Sequence, residues 1–368
     1  MRKTLLPILL LVLVSGGCGE RIKLPTNLPK SSAGSSDTTY IPLPAWTTAG
    51  GVPFTGPQDV HVGFDGHVYI ADTGNDRVVE LDQGGNFIGQ YGGVKEPWSV
   101  SQDRLLRLQA TGGNTIYVKQ RAAPSFDSIY AAPDFYDSVM VMRPDTLIDT
   151  VIISPDSMVI DTLTGLLDTT YVVDTVRTSY KAIASDPRPV ADYATYFVCD
   201  YTRNEIVRFV FREPDQLYSL GAAIPTGFDL SETMYPTGVF VYLTATRLRL
   251  LFCQSLSYFS VQLLDGEDFS PLIPRTDSSE IYWQGTFGRA EDVAVDEFEN
   301  ILVVDQKGNR VLKFSPYGVL ILSFGEKGNG DGQFSDPRGI AYTDKILYVA
   351  DTGNNRIQRF MLSTDFPH

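Results

Sequence analysis

Four runs near the end of the chain decide how the sequence is read: Asp336-Pro-Arg-Gly-Ile-Ala-Tyr342, Lys345-Ile-Leu-Tyr-Val-Ala-Asp351, Thr352-Gly-Asn-Asn-Arg356 and Ile357-Gln-Arg-Phe360. Short apolar, strand-forming runs alternate with turn residues, and no helical period is present. The same plan opens the folded part: Pro57-Gln-Asp-Val-His-Val62, His67-Val-Tyr-Ile-Ala-Asp72, Thr73-Gly-Asn-Asp-Arg77 and Val78-Val-Glu-Leu81. A third copy runs Glu291-Asp-Val-Ala-Val295, Asn300-Ile-Leu-Val-Val-Asp305, Gln306-Lys-Gly-Asn-Arg310 and Val311-Leu-Lys-Phe314.

With the frame set, weaker copies emerge. Pro97-Trp-Ser-Val-Ser101 leads to Ala110-Thr-Gly-Gly-Asn114, and Asp186-Pro-Arg-Pro189 leads to Tyr196-Phe-Val-Cys-Asp200. Pro236-Thr-Gly-Val-Phe-Val241 leads to Leu250-Leu-Phe-Cys-Gln254. The six copies therefore start at Pro57, Pro97, Pro187, Pro236, Ala290 and Pro337. They lie about 40 to 54 residues apart, with one gap of about 90, against the roughly 40 to 50 residues of a propeller blade. A fourth apolar run, such as Asn86–Tyr91 or Val319–Phe324, completes four antiparallel strands per copy. Blades of that kind arranged round an axis protect their own edges.

These motifs resemble the NHL-repeat family, over roughly residues 50 to 362, most specifically at Val349-Ala-Asp-Thr-Gly-Asn-Asn-Arg-Ile357. The resemblance implies an all-β, six-bladed β-propeller. The last copy ends at Phe360–Leu362 without a fourth strand, and Tyr40-Ile-Pro-Leu-Pro-Ala-Trp46 can supply it. Two prolines suit such an edge, where a ladder donor can be spared. Closure of that kind hides edges that would otherwise aggregate.

The long gap has two readings. Residues 122–185 carry nine aspartates, no glutamate and three basic residues, with strand formers alternating with turn formers. The preferred reading is an acidic inserted hairpin or small meander. The other is a degenerate seventh blade.

The chain begins as an export signal. Arg2 and Lys3 precede the apolar run Leu5–Val14, then Ser15-Gly-Gly-Cys18. Ten apolar residues are too few for a helix that spans a bilayer, which takes roughly 20, so residues 1–17 are expected to be cleaved. Small residues before Cys18 resemble the bacterial lipobox, although Ser15 stands where Leu is usual. That resemblance makes Cys18 the lipid attachment point and residues 18–39, rich in Pro, Ser and Gly, a flexible tether to the propeller at 40–368. It implies a cell-envelope location, with Gly19 in place of a retaining Asp favouring the outer membrane.

Thirty basic residues face 44 acidic ones, a net charge of −14. This opposes nucleic acid as a partner, since phosphate recognition needs clustered Lys and Arg. It equally opposes resting flat on an anionic membrane, which leaves the lipid as the only membrane contact. RNA binding, known for some animal members of the family, is disfavoured by the same charge. Cys199 and Cys253 are read as buried small residues, although an oxidising compartment permits a disulfide between them.

Chemistry is harder to place. Asp72, Asp305 and Asp351 recur at the end of the second strand in each good copy, followed five residues later by Arg77, Arg310 and Arg356. A residue repeated in every blade serves the repeat, by bonding a turn, because chemistry needs a site only once. Some propellers of this type are amidating lyases, which hold zinc with several histidines round the axis. Here the histidines are His61, His67 and His368, and the first two lie in neighbouring strands of one blade. Catalytic zinc normally takes three protein ligands, so neither a metal, a cofactor nor a catalytic residue is assigned. A lactonase-like site of Asp, Asn and Glu round calcium has no motif pointing to it.

A binding surface is expected where the innermost strands begin. The residues there are Gln58, Trp98, Arg188, Thr237, Glu291 and Arg338, which should circle one mouth of the channel. Stacking on Trp and bidentate bonds from Arg would suit a protein, peptide or glycan partner. The expectation is thus a non-catalytic binding scaffold, with a metal-dependent lyase or lactonase-type hydrolase in the channel as the alternative.

Overall fold

A computed structural model describes residues 38–132, 135–142, 151–152, 159–160, 169–176, 178–188, 193–212, 216–223, 235–245, 247–255 and 259–365. The signal, Cys18 and most of the tether lie outside the described residues, as does His368. No helix among the described residues is long and apolar enough to cross a membrane.

Six antiparallel sheets form six blades. Five have four strands: Pro57–Val62 to Phe87–Tyr91 (blade 1), Ser99–Gln102 to Asp127–Ala131 (blade 2), Tyr180–Ser185 to Gln216–Ala222 (blade 3), Ala290–Val295 to Leu320–Phe324 (blade 5), and blade 6. Blade 4 has three strands from Pro236–Leu243 to Val261–Asp265, with a bridge from Leu264 to Pro271 in place of a fourth. Each inner strand contacts the inner strands on either side, and that of blade 6 returns to that of blade 1. The result is the six-bladed propeller expected from the repeats.

Blade 6 closes the ring. Its inner three strands are Pro337–Thr343, Ile346–Asp351 and Arg356–Leu362, and Tyr40–Trp46 pairs with the last of them, Tyr40 opposite Leu362 and Trp46 opposite Ile357. Tyr40 is fully buried and its ring packs, tilted, 4.9 Å from that of Phe324 of blade 5, so the added strand also packs between blades.

The second strands are nearly continuous apolar runs, such as Ile301–Asp305 and Val68–Asp72, buried throughout. They sit mid-sheet with a neighbouring blade on each face, which is why they do not alternate. Cys199 and Cys253 lie in such strands of blades 3 and 4 as buried free thiols. Burial pushes both thiols well above their ordinary range.

The recurring Asp is a turn latch. Asp351 is fully buried and accepts from Ser335 N (2.8 Å), Asn354 Nδ2 (2.9 Å) and Arg356 Nε (2.7 Å). Asp72 repeats this with Thr55 N, Asn75 Nδ2 and Arg77 Nε, and Asp305 with the amides of Gly288 and Arg289 and with Arg310 Nε. The left-handed backbone falls on the residue before each Arg, Asp76, Asn309 and Asn355. Gly74 and Gly353 serve close approach instead, since a Cβ would sit 2.7 Å from the Thr55 and Ser335 carbonyl oxygens. The neighbouring Thr ties blade to blade: Thr73 Oγ1 donates to Pro97 O (2.5 Å) and Thr352 Oγ1 to Pro57 O (2.6 Å).

The 122–185 segment divides. Its ends are blade strands, Asp127–Ala131 outermost in blade 2 and Tyr180–Ser185 innermost in blade 3. Between them Phe135–Met142 pairs with Thr169–Val176, and Val151–Ile152 with Val159–Ile160, outside the six blades. Ala132 N bonds Asn114 O (2.9 Å) and Tyr180 N bonds Gly113 O (2.7 Å), so both roots of the insertion are pinned to one turn of blade 2. Deleting residues 135–176 with a short Gly/Ser bridge is therefore expected to leave Tm within a few degrees of the parent. A scanning-calorimetry endotherm that broadens or falls by more than about 10 °C, several kcal/mol for a domain of this size, would show the segment to be part of the propeller's core.

Candidate functional site

The inner strands carry a shared irregularity at their starts. Register breaks between Pro57 and Asp59, Tyr180 and Ala182, Pro236 and Gly238, Ala290 and Asp292, and Pro337 and Ile340. Bulged residues lose their place in the ladder and their side chains are re-aimed. Gln58, Lys181, Thr237, Glu291 and Arg338 occupy these bulges, and with Trp98 of blade 2 they line one mouth of the channel around a notch of about 30 Å³.

Five of the six expected rim residues thus come together, and Arg188 does not. Arg188 follows the inner strand of blade 3 and sits with Asp103, Arg104 and Tyr193 where inner strands end. There it pairs with Asp186 at 2.6 Å and with Glu267. The repeat in blade 3 starts at Tyr180, not Pro187, so the rim place belongs to Lys181.

Lys181 is unlike its neighbours on the rim. Its ammonium lies over the Trp98 ring and 5.4 Å from the centre of Tyr201. No carboxylate of the described residues lies within ion-pair distance of it, whereas Arg338 pairs with Glu291 (3.0 Å) and Asp336 (3.1 Å), and Arg289 with Glu291 (2.8 Å). Burial lowers the Lys181 amine to about 7, opposed by Glu291 and assisted by Arg338 and Arg289.

One residue further in, the channel is pinched by Asp59, Ser99, Ala182, Asp292 and Gly339. Asp59 Oδ2 accepts from Ser99 Oγ (2.7 Å) and Val100 N (2.9 Å) of blade 2, and Asp292 Oδ2 accepts from Ile340 N (2.9 Å) of blade 6. Burial raises both carboxyls; for Asp292 the charge of Asp59 adds to it, while the amides pull the other way. The glycines make room for these latches, since a Cβ on Gly339 would stand 2.5 Å from Asp59 Cα and one on Gly238 2.6 Å from Asp292 Oδ1. Gly339→Ala is accordingly expected to destabilise by about 1–3 kcal/mol through overpacking, measured by urea unfolding. A change below about 0.5 kcal/mol, the usual range of a surface substitution, would mean that the blades can slide apart here.

His61 and His67 part company. His61, on the inner strand of blade 1, lines the channel, and burial lowers its imidazole to about 4. His67 Nδ1 meets Glu80 Oε1 at 2.6 Å in the outer part of the blade. Among the described residues, Asp65, His67 and Glu80 are the one group of three metal-type side chains with ligand atoms within 4.8 Å. Its oxygens are engaged by Tyr69, Tyr91 and Gln102.

The fold and its axial channel define a six-bladed β-propeller, and comparison with known proteins finds one of its repeats. The NHL repeat model matches residues 334–360. The matched residues form the inner three strands of blade 6, so the chain is a six-bladed β-propeller that carries an NHL repeat. It is 36% identical over 89 residues to mouse peptidyl-glycine alpha-amidating monooxygenase, a match spanning 22% of this chain and 9% of that protein. Among solved structures it is similar to a protein of unknown function from Bacteroides thetaiotaomicron, with 14% identity, a TM-score of 0.51 and coverage of 85% of this chain and 71% of that one. A gluconolactonase from Xanthomonas campestris matches with 10% identity, a TM-score of 0.50 and coverage of 90% and 100%. At such identities these structures speak for the fold alone.

Proposed function

We propose that this protein is a non-catalytic binding module of the cell envelope, tethered by a lipid on Cys18, which grips its partner at the mouth ringed by Gln58, Trp98, Lys181, Thr237, Glu291 and Arg338. The observation that carries this reading is the set of strand bulges that turns five unlike side chains, with Trp98 beside them, onto one opening. Among them Lys181 has no carboxylate of the described residues within ion-pair distance and stands beside an aromatic face. Burial holds its amine at about 7, and an incoming anion would favour its charged form. In a chain of net charge −14, this favours a carboxylate on the incoming group. A notch of about 30 Å³ takes one small group and leaves the rest of the ligand outside. That suits the acidic end or side group of a peptide or glycan.

The competing reading is a metal-dependent lyase or lactonase, suggested by the names of the amidating and gluconolactonase proteins it resembles. Asp59 and Asp292 are the carboxyls the axis offers it, and each already bonds the next blade.

Affinity capture from the source organism's envelope, with the parent chain and Lys181→Met as baits, tests the first reading. Losing a charge-assisted bond of about 1.5–3 kcal/mol predicts retention falling roughly 10- to 100-fold. Equal retention by the variant removes the rim from the interface. Stoichiometric zinc or calcium in the purified parent, with turnover of lactones or amidated peptides, would replace the binding reading by the enzymatic one.

A further inference from the structure

Beyond the pinch at Asp59 and Asp292 the channel opens into a cavity of about 300 Å³. A water occupies roughly 30 Å³ of liquid, so this space exceeds that of a structural water, and it reaches the lower bound of small-molecule sites. Every blade contributes at least one branched aliphatic residue to its wall, among them Val60, Val100, Ile183, Val239, Val293 and Ile340. The polar groups of the wall are mostly engaged. Ser101 bonds Ser185, Gln102 bonds Asp65, Arg104 bonds the Pro187 carbonyl and Tyr342 bonds Glu297.

His61 is different. Its imidazole lines the space and makes no hydrogen bond with any described residue. Burial keeps it neutral at pH 7, with a pKa lowered to about 4, so it offers one donor and one acceptor nitrogen. The Tyr242 hydroxyl also has no partner, but it is sealed from the space. The cavity opens where the inner strands end, and exposed apolar residues of blades 1 and 4, Phe64 and Leu243, stand at that mouth. A charged ligand inside would be stripped of water against aliphatic walls, which is unfavourable. Arg104, which has no ion pair among the described residues, is exposed to solvent at the mouth, over the Phe64 ring.

We propose that this cavity, entered from the mouth opposite the rim, binds a neutral and mainly apolar small molecule through one hydrogen bond to His61. The site is independent of the rim reading, because it lies on the other side of the pinch and uses none of the six rim residues.

The neutral fluorophore N-phenyl-1-naphthylamine, which carries a single N–H and brightens in apolar surroundings, tests the proposal on the full chain. Saturable binding of one molecule per chain is expected. Val239→Phe and Ala341→Leu fill the space from two different blades, and each should weaken binding at least tenfold with circular dichroism and Tm confirming the fold. His61→Phe keeps the ring and removes the nitrogens; loss of one bond predicts about a fivefold weakening. Ile321→Ser, on an outer strand of blade 5, should leave binding unchanged. Absence of saturable binding, or binding that survives a folded filling variant, overturns the proposal. So does an unchanged affinity in His61→Phe, or a loss in Ile321→Ser, which would place the probe on exposed apolar surface.

Discussion

Asp351→Ala is expected to destabilise the propeller by about 3–5 kcal/mol, the range for breaking a buried ion pair by removing one partner. The carboxylate is fully buried and receives Ser335 N, Asn354 Nδ2, Arg356 Nε and Gln358 Nε2. Without it the Arg356 guanidinium, 9% exposed, keeps only the carbonyls of Gly330 and Gln333, and three further donors lose an acceptor. Arg356 stands in the strand that receives the closing strand, so the damage falls on the seam of the ring. Chemical unfolding measures it, with Asp331→Ala as a control at an exposed position, expected to lie within about 0.5 kcal/mol of the parent. A loss below about 1 kcal/mol for Asp351→Ala would mean that the repeated Asp–Arg pair is not a latch, and would return it to consideration as a site for chemistry.

Removing the closing strand is the other large effect. A chain beginning at Thr48 loses the buried side chains of Tyr40, Ile41 and Trp46, each of which stabilises by about 1.5–3 kcal/mol. Trp46 also packs 5.5 Å from Tyr348 with the Arg359 guanidinium over its ring. The unpaired edge of Arg356–Leu362 becomes a template for a second chain. The expected result is a Tm lower by roughly 10 °C, judged from the several kcal/mol removed, together with concentration-dependent association in light scattering. A synthetic peptide of residues 38–47 added in excess should reverse both. An unchanged Tm in a monomeric shortened chain would show that three strands suffice in blade 6.

Much of this architecture is legible in the residues. Strand periodicity, Pro or Ala at the start of an inner strand and Asp-Thr-Gly-Asn-Asn-Arg turns are local signals. Their backbone demands, a positive φ before the Arg and a carboxylate under the turn, are met within a few residues. The closing strand was legible too, because a repeat lacking its fourth strand leaves an edge that some segment must cover.

Blade 3 shows where local reading stops. Asp186-Pro187-Arg188 spells the same start as Asp336-Pro337-Arg338, and in both the Arg bonds the Asp two residues before it. Only one of the two begins an inner strand. What separates them is long-range: Tyr180 pairs with Asp200, as Pro337 pairs with Asp351, and that register puts Lys181 on the rim and Arg188 beyond the strand's far end.

The channel is likewise a product of assembly. Asp59 and Asp292 sit in ordinary strand starts, and nothing in their neighbourhoods announces that blades 2 and 6 will supply their amides. His61 reads as one histidine of a strand until six inner strands enclose a space beside it. By itself the sequence determined the repeat, its turns and the strand that closes the ring, because each follows from contacts within a blade or from an edge left open, while it left six blades and seven both open. Tertiary structure alone decided which side chains face the axis and how much room lies between them, because those depend on bulges and on the distance at which six separate strands pack.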